Sequence, residues 1–104
     1  MDDVILGIEL DSRDVNVFKN IAEAESYIEI PDIANWLAFD TTAAIYRIGR
    51  DDKGHKVKLS KTENSNPNQL LQHVAAYLNR HRSRPSAEST LLEELVVYLS
   101  SRIT

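Results

Sequence analysis

The stretch NIAEAESYIEIPDIANWLAFD, residues 20–40, decides the fold. It reads as a short acidic helix, a Pro-Asp turn and a strand that opens on an aromatic residue. Asn20 is a favoured N-cap, and Glu23 stands three residues on, where a capping-box acid reaches back. Ile21, Ala24 and Ile28 share one helical face, while Glu23, Ser26 and Tyr27 lean outward. Pro31 disfavours the α conformation before it, so the helix is expected over Ile21 to Glu29. Beyond the turn, Trp36, Ala38 and Asp40 alternate with Leu37 and Phe39, the two-residue period of a strand.

Working toward the N-terminus, residues 4–10 (VILGIEL) are apolar and β-branched enough for a strand, within which Gly7 weakens the pattern or marks a bulge. A turn at Asp11–Asp14 leads to a second short strand carrying Val15 and Val17 on one face. Toward the C-terminus, Thr41-Thr42 is a turn and Ala43–Arg50 a strand, with Ala44, Tyr46 and Ile48 opposite Ile45 and Arg47. Asp51–Gly54 forms a hairpin loop, with Gly54 available for positive φ. His55–Lys61 returns antiparallel, Val57 and Leu59 inward and Lys56, Lys58 and Ser60 outward. Glu63–Asn66 reads as a polar loop. Asn66-Pro67 with Gln69 starts a helix whose stripe is Leu70, Leu71, Val74, Ala75 and Leu78, with Arg80, His81 and Arg82 in its last turn. After Arg84-Pro85, a serine (Ser83 or Ser86) caps a final helix with Leu91, Leu92, Leu95, Val96, Leu99 and Ile103 at helical spacing. The expectation is an α+β fold: a small antiparallel sheet of about four to five strands, a short N-terminal helix, and two C-terminal helices packed on it.

The chain has 104 residues, which suits one domain. A chain of this length buries roughly 65% of the surface its unfolded form exposes, enough for a core without staples. Cysteine is absent, which removes disulfides and thiolate chemistry and suits a reducing compartment. No apolar run approaches the length of a membrane span. The opening MDDVILGIELD lacks the positive n-region of a signal peptide, so the cytoplasm is the expected location. The net charge of −4 hides a segregation. Residues 1–40 hold ten acids against Arg13 and Lys19, and residues 41–85 hold nine bases against three acids. Such a layout either solvates the surface or steers a basic partner.

Catalytic signatures are missing from the pattern. His73 and His81 are eight apart and make no chelating pair, and His55 starts a strand, so no metal site is expected. The three glycines form no phosphate cradle, so no cofactor is implied. The serines lack a nucleophile elbow, and Asp51-Asp52 and Glu93-Glu94 diverge. The basic run Asn79–Arg84 with Lys56, Lys58 and Lys61 lacks interleaved aromatics, and the chain is acidic, which argues against nucleic acid. Trp36 is the only tryptophan. Core packing is the usual fate of such a residue and an interface anchor the sharper alternative.

Val17-Phe18, the run Ala22–Glu29, Pro31-Asp32-Ile33, Phe39-Asp40 and Ile45 together form a pattern of strand, Ala-Glu helix, Glu-x-x-Asp, aromatic-Asp turn and strand. It resembles the opening of small acidic bacterial immunity proteins encoded beside polymorphic or contact-dependent toxins. The resemblance covers about 30 residues and implies a non-enzymatic inhibitor that binds one cognate toxin domain, many of them nucleases with basic faces. The partner-binding candidates are Glu25, Glu29 and Asp32, with Glu23 and Asp40, and Tyr27 and Trp36 as anchors. A small regulatory module, homodimeric through its Leu-rich last helix, is the other reading.

Overall fold

The computed structural model describes residues 4–80 and 87–103. It is an α+β fold built on a five-stranded antiparallel sheet in the order β2-β1-β3-β4-β5. The strands are β1 (Ile5–Glu9), β2 (Val15–Phe18), β3 (Trp36–Asp40), β4 (Ala44–Arg50) and β5 (Val57–Ser65). Helix α1 (Ile21–Tyr27) and a 3-10 helix (Ile30–Asn35) link β2 to β3, and α2 (Pro67–Arg80) and α3 (Ala87–Ile103) follow β5. No described helix is long and apolar enough to cross a membrane.

Both faces of the sheet are covered, which is why β1 reads as a continuous apolar run rather than an alternating one. On one face, Ile5, Phe18, Trp36, Ala38, Tyr46, Val57 and Leu59 pack with Ala24 and Ile28 of the α1 segment. On the other, Leu6, Ile8, Val15 and Phe39 pack with Leu70 and Val74 of α2 and Leu92, Leu95 and Leu99 of α3. The stripes on the last two helices are narrower than their spacing predicts: Ala75 and Ile103 are exposed, and Tyr77 joins the packing instead. His81, Arg82, Ser83, Arg84, Pro85 and Ser86 lie outside the described residues.

Gly7 does not mark a bulge. Its strand pairs in unbroken register on both sides, Gly7 facing Asn16 of β2 and Ala38 of β3. A Cβ at Gly7 would lie 2.8 Å from Phe18 Cε2 and 3.0 Å from Trp36 Cζ3. Glycine is there because two aromatic rings lie on the strand.

Several elements differ from expectation. α1 stops at Tyr27 rather than Glu29: Ile28 donates its N–H to Ala24 O (3.1 Å) and turns extended, which sends its side chain into the core. The Pro-Asp turn is a 3-10 helix that brings Ile30 and Ile33 onto the same core. β5 starts at Val57, leaving His55 in the hairpin turn, and continues through the expected polar loop to Ser65. A register irregularity between Ala44 and Tyr46 absorbs its extra residues, and Thr62 Oγ1 fills it by donating to Ile45 O (2.7 Å). β5 is an edge strand: Ser65 pairs with Ala44, Glu63 and Asn64 lie in the irregularity, the other edge of the strand faces solvent, and no apolar alternation betrays them.

The β3–β4 turn is built around Asp40, which is 5% exposed. Its Oδ1 accepts from Thr42 N (2.9 Å), Thr42 Oγ1 (2.6 Å) and Ala44 N (3.2 Å), its Oδ2 accepts from Tyr46 OH (3.3 Å), and Lys61 Nζ lies 3.6 Å away. This clamp holds Ala43 at φ +68°, so Ala43 closes the turn rather than opening β4. Burial pushes the Asp40 pKa up, but the Thr42 and Ala44 hydrogen bonds and the Lys61 ammonium together hold it below the usual carboxylate value.

Two outcomes follow. Gly7→Ala should destabilise the fold by about 1–3 kcal/mol in a urea melt, the usual cost of overpacking. A group whose folded pKa is depressed stabilises above its unfolded pKa and loses that contribution as pH falls through the folded value. Denaturant midpoints should therefore hold steady above about pH 5 and drop below about pH 4, and Asp40→Asn should flatten that drop while costing about 1–3 kcal/mol at neutral pH.

Candidate functional site

At the end of the sheet where β1 closes and β3 begins, Glu9, Asp11, Tyr27, Glu29, Asp32, Asn35 and Trp36 line a concavity of about 440 Å3. Four of these side chains are carboxylates and none is basic. Strand pairing places the first of them: Glu9 of β1 sits opposite Trp36 of β3. Glu29 and Asp32 arrive on the 3-10 helix and its cap. Asp11 is held by Asn35, which accepts Leu10 N at its backbone carbonyl (2.7 Å) and Asp11 N at Oδ1 (3.0 Å). Asn35 thus fastens the β1–β2 turn to the 3-10 helix.

Arg80 braces the same turn from α2. It donates to Ser12 O (3.1 Å) and Arg13 O (2.6 Å) and lies 4.0 Å from Asp14. Among the described residues, no hydrogen bond or ion pair engages the carboxylates of Glu9, Asp11, Glu29 or Asp32.

Tyr27, the last residue of α1, is 58% exposed, yet its ring is fixed. It lies 5.3 Å from the Phe18 ring and meets Trp36 edge-on at 5.8 Å and 85°. Phe18 and Trp36 are 6.4 Å apart. Such pairs contribute about 0.5–1.5 kcal/mol each beyond area burial. The phenol is therefore presented to solvent at low entropic cost.

The predicted residues divide. Tyr27, Glu29 and Asp32 come together on the surface. Trp36 joins them only as the floor, since it is 8% exposed and packed in the core. Asp40 lies at the far end of β3, about 13 Å away by strand rise, and is a buried structural group. Glu25 turns the other way: its Oε2 accepts Leu59 N (2.8 Å), which caps the outer edge of β5. Glu23 stays in the first turn of α1, its carboxylate 3.5 Å from Lys19 N, and Asn20 Oδ1 accepts Glu23 N (2.8 Å). Sequence spacing does not reveal Glu9, Asp11 and Asn35, because their neighbours are cross-strand or 24 residues away.

Among the described residues, Arg80 braces the turn that carries Asp11, Arg47, Arg50 and Lys58 border a hollow on the β4–β5 hairpin, Lys56 lies in its turn, and Lys61 pairs with Asp40. His73 has a lowered pKa, from burial and from Arg13 nearby. Among the described residues, no group of His, Asp or Glu is arranged to hold a metal ion. No protein-family model, curated protein or solved structure matches the chain.

Asn35→Ala should release the Asp11 loop, costing about 1 kcal/mol in a thermal or urea melt. Amide exchange should speed up at Asp11, whose N–H loses its acceptor, while β4 and β5 keep their protection.

Proposed function

We propose that this chain is a non-catalytic binding protein, of the kind that neutralises a cognate bacterial toxin in the cytoplasm of the cell that makes both. The acidic concavity is its docking face. The observation that carries the reading is the convergence of Glu9, Asp11, Glu29 and Asp32 around a braced, exposed Tyr27 with no cation among the lining residues. Like charges gathered on one surface oppose one another, and nothing in the packing of α1 or the 3-10 helix requires them. A basic face on a partner relieves that repulsion and is drawn in by it. Tyr27 supplies the apolar and cation-binding surface such contacts use as an anchor. The resemblance of residues 17–45 to immunity proteins points to the same class of partner, a toxin domain such as a nuclease whose basic face holds nucleic acid.

The reading makes the protein an inhibitor by occlusion. It brings no reacting group to the toxin, and needs no cofactor or metal. Its own nucleic-acid binding is not part of the proposal, since an acidic face repels phosphate.

The test is co-expression with the toxin encoded beside this gene. Wild-type chain should restore growth. Glu29→Lys with Asp32→Lys should lower affinity by about 2–4 kcal/mol and shrink its salt dependence, and Tyr27→Ala should cost about 2 kcal/mol, both without loss of fold. Unchanged affinity in both variants would remove this face from the interaction, and failure of the wild type to protect would remove the toxin as partner.

A further inference from the structure

Helix α3 exposes three large apolar side chains: Val97 at 72%, Tyr98 at 45% and Ile103 at 37%. The leucine stripe is not the exposed surface, because Leu92, Leu95 and Leu99 are buried against the sheet and α2. What remains outside includes the acid Glu93, one turn before Val97, and one row with a definite charge order. Glu94, Tyr98 and Arg102 are four residues apart and form one i, i+4 row: acid, aromatic, base. The row is held in place. The Arg102 guanidinium lies over the Tyr98 ring, 5.7 Å from its centroid, and donates to the Thr42 carbonyl. Thr41, Thr42, Leu91 and Leu95, with Glu94 and Tyr98 of the row itself, border a mostly apolar groove of about 310 Å3.

This order is complementary to its own reverse. A two-fold axis through Tyr98 sets Glu94 of one copy against Arg102 of the other, and the same pair again on the far side. Each acid stands about 6 Å of helix rise from the axis and each base the same distance beyond it, so both pairs match in register. A row of this spacing is also the ridge that packs helices at about −50°. A parallel arrangement would oppose acid to acid and base to base.

We propose that α3 pairs two copies of the chain in antiparallel fashion, with Val97 and Tyr98 at the centre and a Glu94–Arg102 ion pair at each end. The contact is isologous, each residue meeting its counterpart twice. It shares no residue with the acidic concavity and does not rest on the toxin-binding reading. A dimer of this form presents two concavities, one from each copy.

Sedimentation equilibrium on the full chain tests it. The wild type should dimerise with a Kd of about 1–100 µM. Glu94→Arg should weaken the dimer by about tenfold or more, and Val97→Asp should abolish it, because a like charge or an unpaired acid then sits in the contact. Arg102→Glu should act like Glu94→Arg, and the double swap Glu94→Arg with Arg102→Glu should restore the dimer. Circular dichroism melts follow folding in each variant. Arg102→Glu also loses the Thr42 bond, so Glu94→Arg and Val97→Asp are the decisive singles. A chain that stays monomeric at about 1 mM overturns the proposal. So does a dimer indifferent to both decisive singles, or a double swap that dimerises no better than Glu94→Arg in a folded protein.

Discussion

The α1 side of the molecule depends on two rings lying against the bare backbone of Gly7. Phe18 and Trp36 come from the strands on either side of β1, and the glycine between them leaves room for both to settle on the sheet. Once there, they form the surface on which Tyr27 is braced, and Tyr27 ends α1. The end of α1 then sets where Ile28 turns inward, where the 3-10 helix starts, and where Glu29 and Asp32 emerge. Magnitudes show why this chain of constraints holds against the charge it gathers. Burying an aromatic side chain of this kind contributes about 1.5–3 kcal/mol, with ring pairing in addition. Two exposed carboxylates about 4 Å apart in water repel by only about 1 kcal/mol, and less at greater distance. The core decides the geometry, and the acids are carried along with it.

The elements with a strong period were legible in the sequence. Asn20 caps α1 as its residue type predicts, the alternation of β3 and β4 sorts Trp36 and Ala38 from Phe39 and Ile45, and the Asn66-Pro67 start of α2 is confirmed by Gln69 N donating to Asn66 Oδ1. The errors have a common cause. Polar residues Glu63 to Ser65 belong to an edge strand, where hydrogen bonding on one side suffices and no apolar pattern is needed. Ala43 adopts a left-handed conformation that its side chain does not advertise, because the Asp40 clamp enforces it from three residues away. Gly7 reads locally as a weak point in a strand, yet two aromatic rings pack directly on it. Local propensity does not report what lies on top of a residue.

The site was legible in part for the same reason. Glu29, Asp32, Tyr27 and Trp36 are near in sequence and meet in space. Glu25 and Asp40 are near in sequence too, yet each serves a backbone N–H outside the concavity. Glu9 and Asp11 are the converse case, brought in by strand pairing and by the Asn35 clasp. A count of acids along the chain measures how much charge there is. Only the sheet order tells which acids face one another.

That sorting sharpens the electrostatic argument. Asp40, Glu25 and Glu23 are occupied by structure, with hydrogen-bond donors to meet their charge. Among the described residues no hydrogen bond or ion pair engages the carboxylates of the four acids of the concavity, so their field extends outward. Charges closer together than the Debye length, about 8 Å at physiological ionic strength, act on an approaching partner together rather than as separately screened ones, and these four carboxylates share the lining of one hollow. Such a field governs how fast a basic surface arrives, and it weakens with salt. How long that surface stays depends on what is desolvated once it arrives, and there the braced phenol of Tyr27, over a buried Trp36, is the feature that distinguishes this hollow from a merely solvated acidic surface.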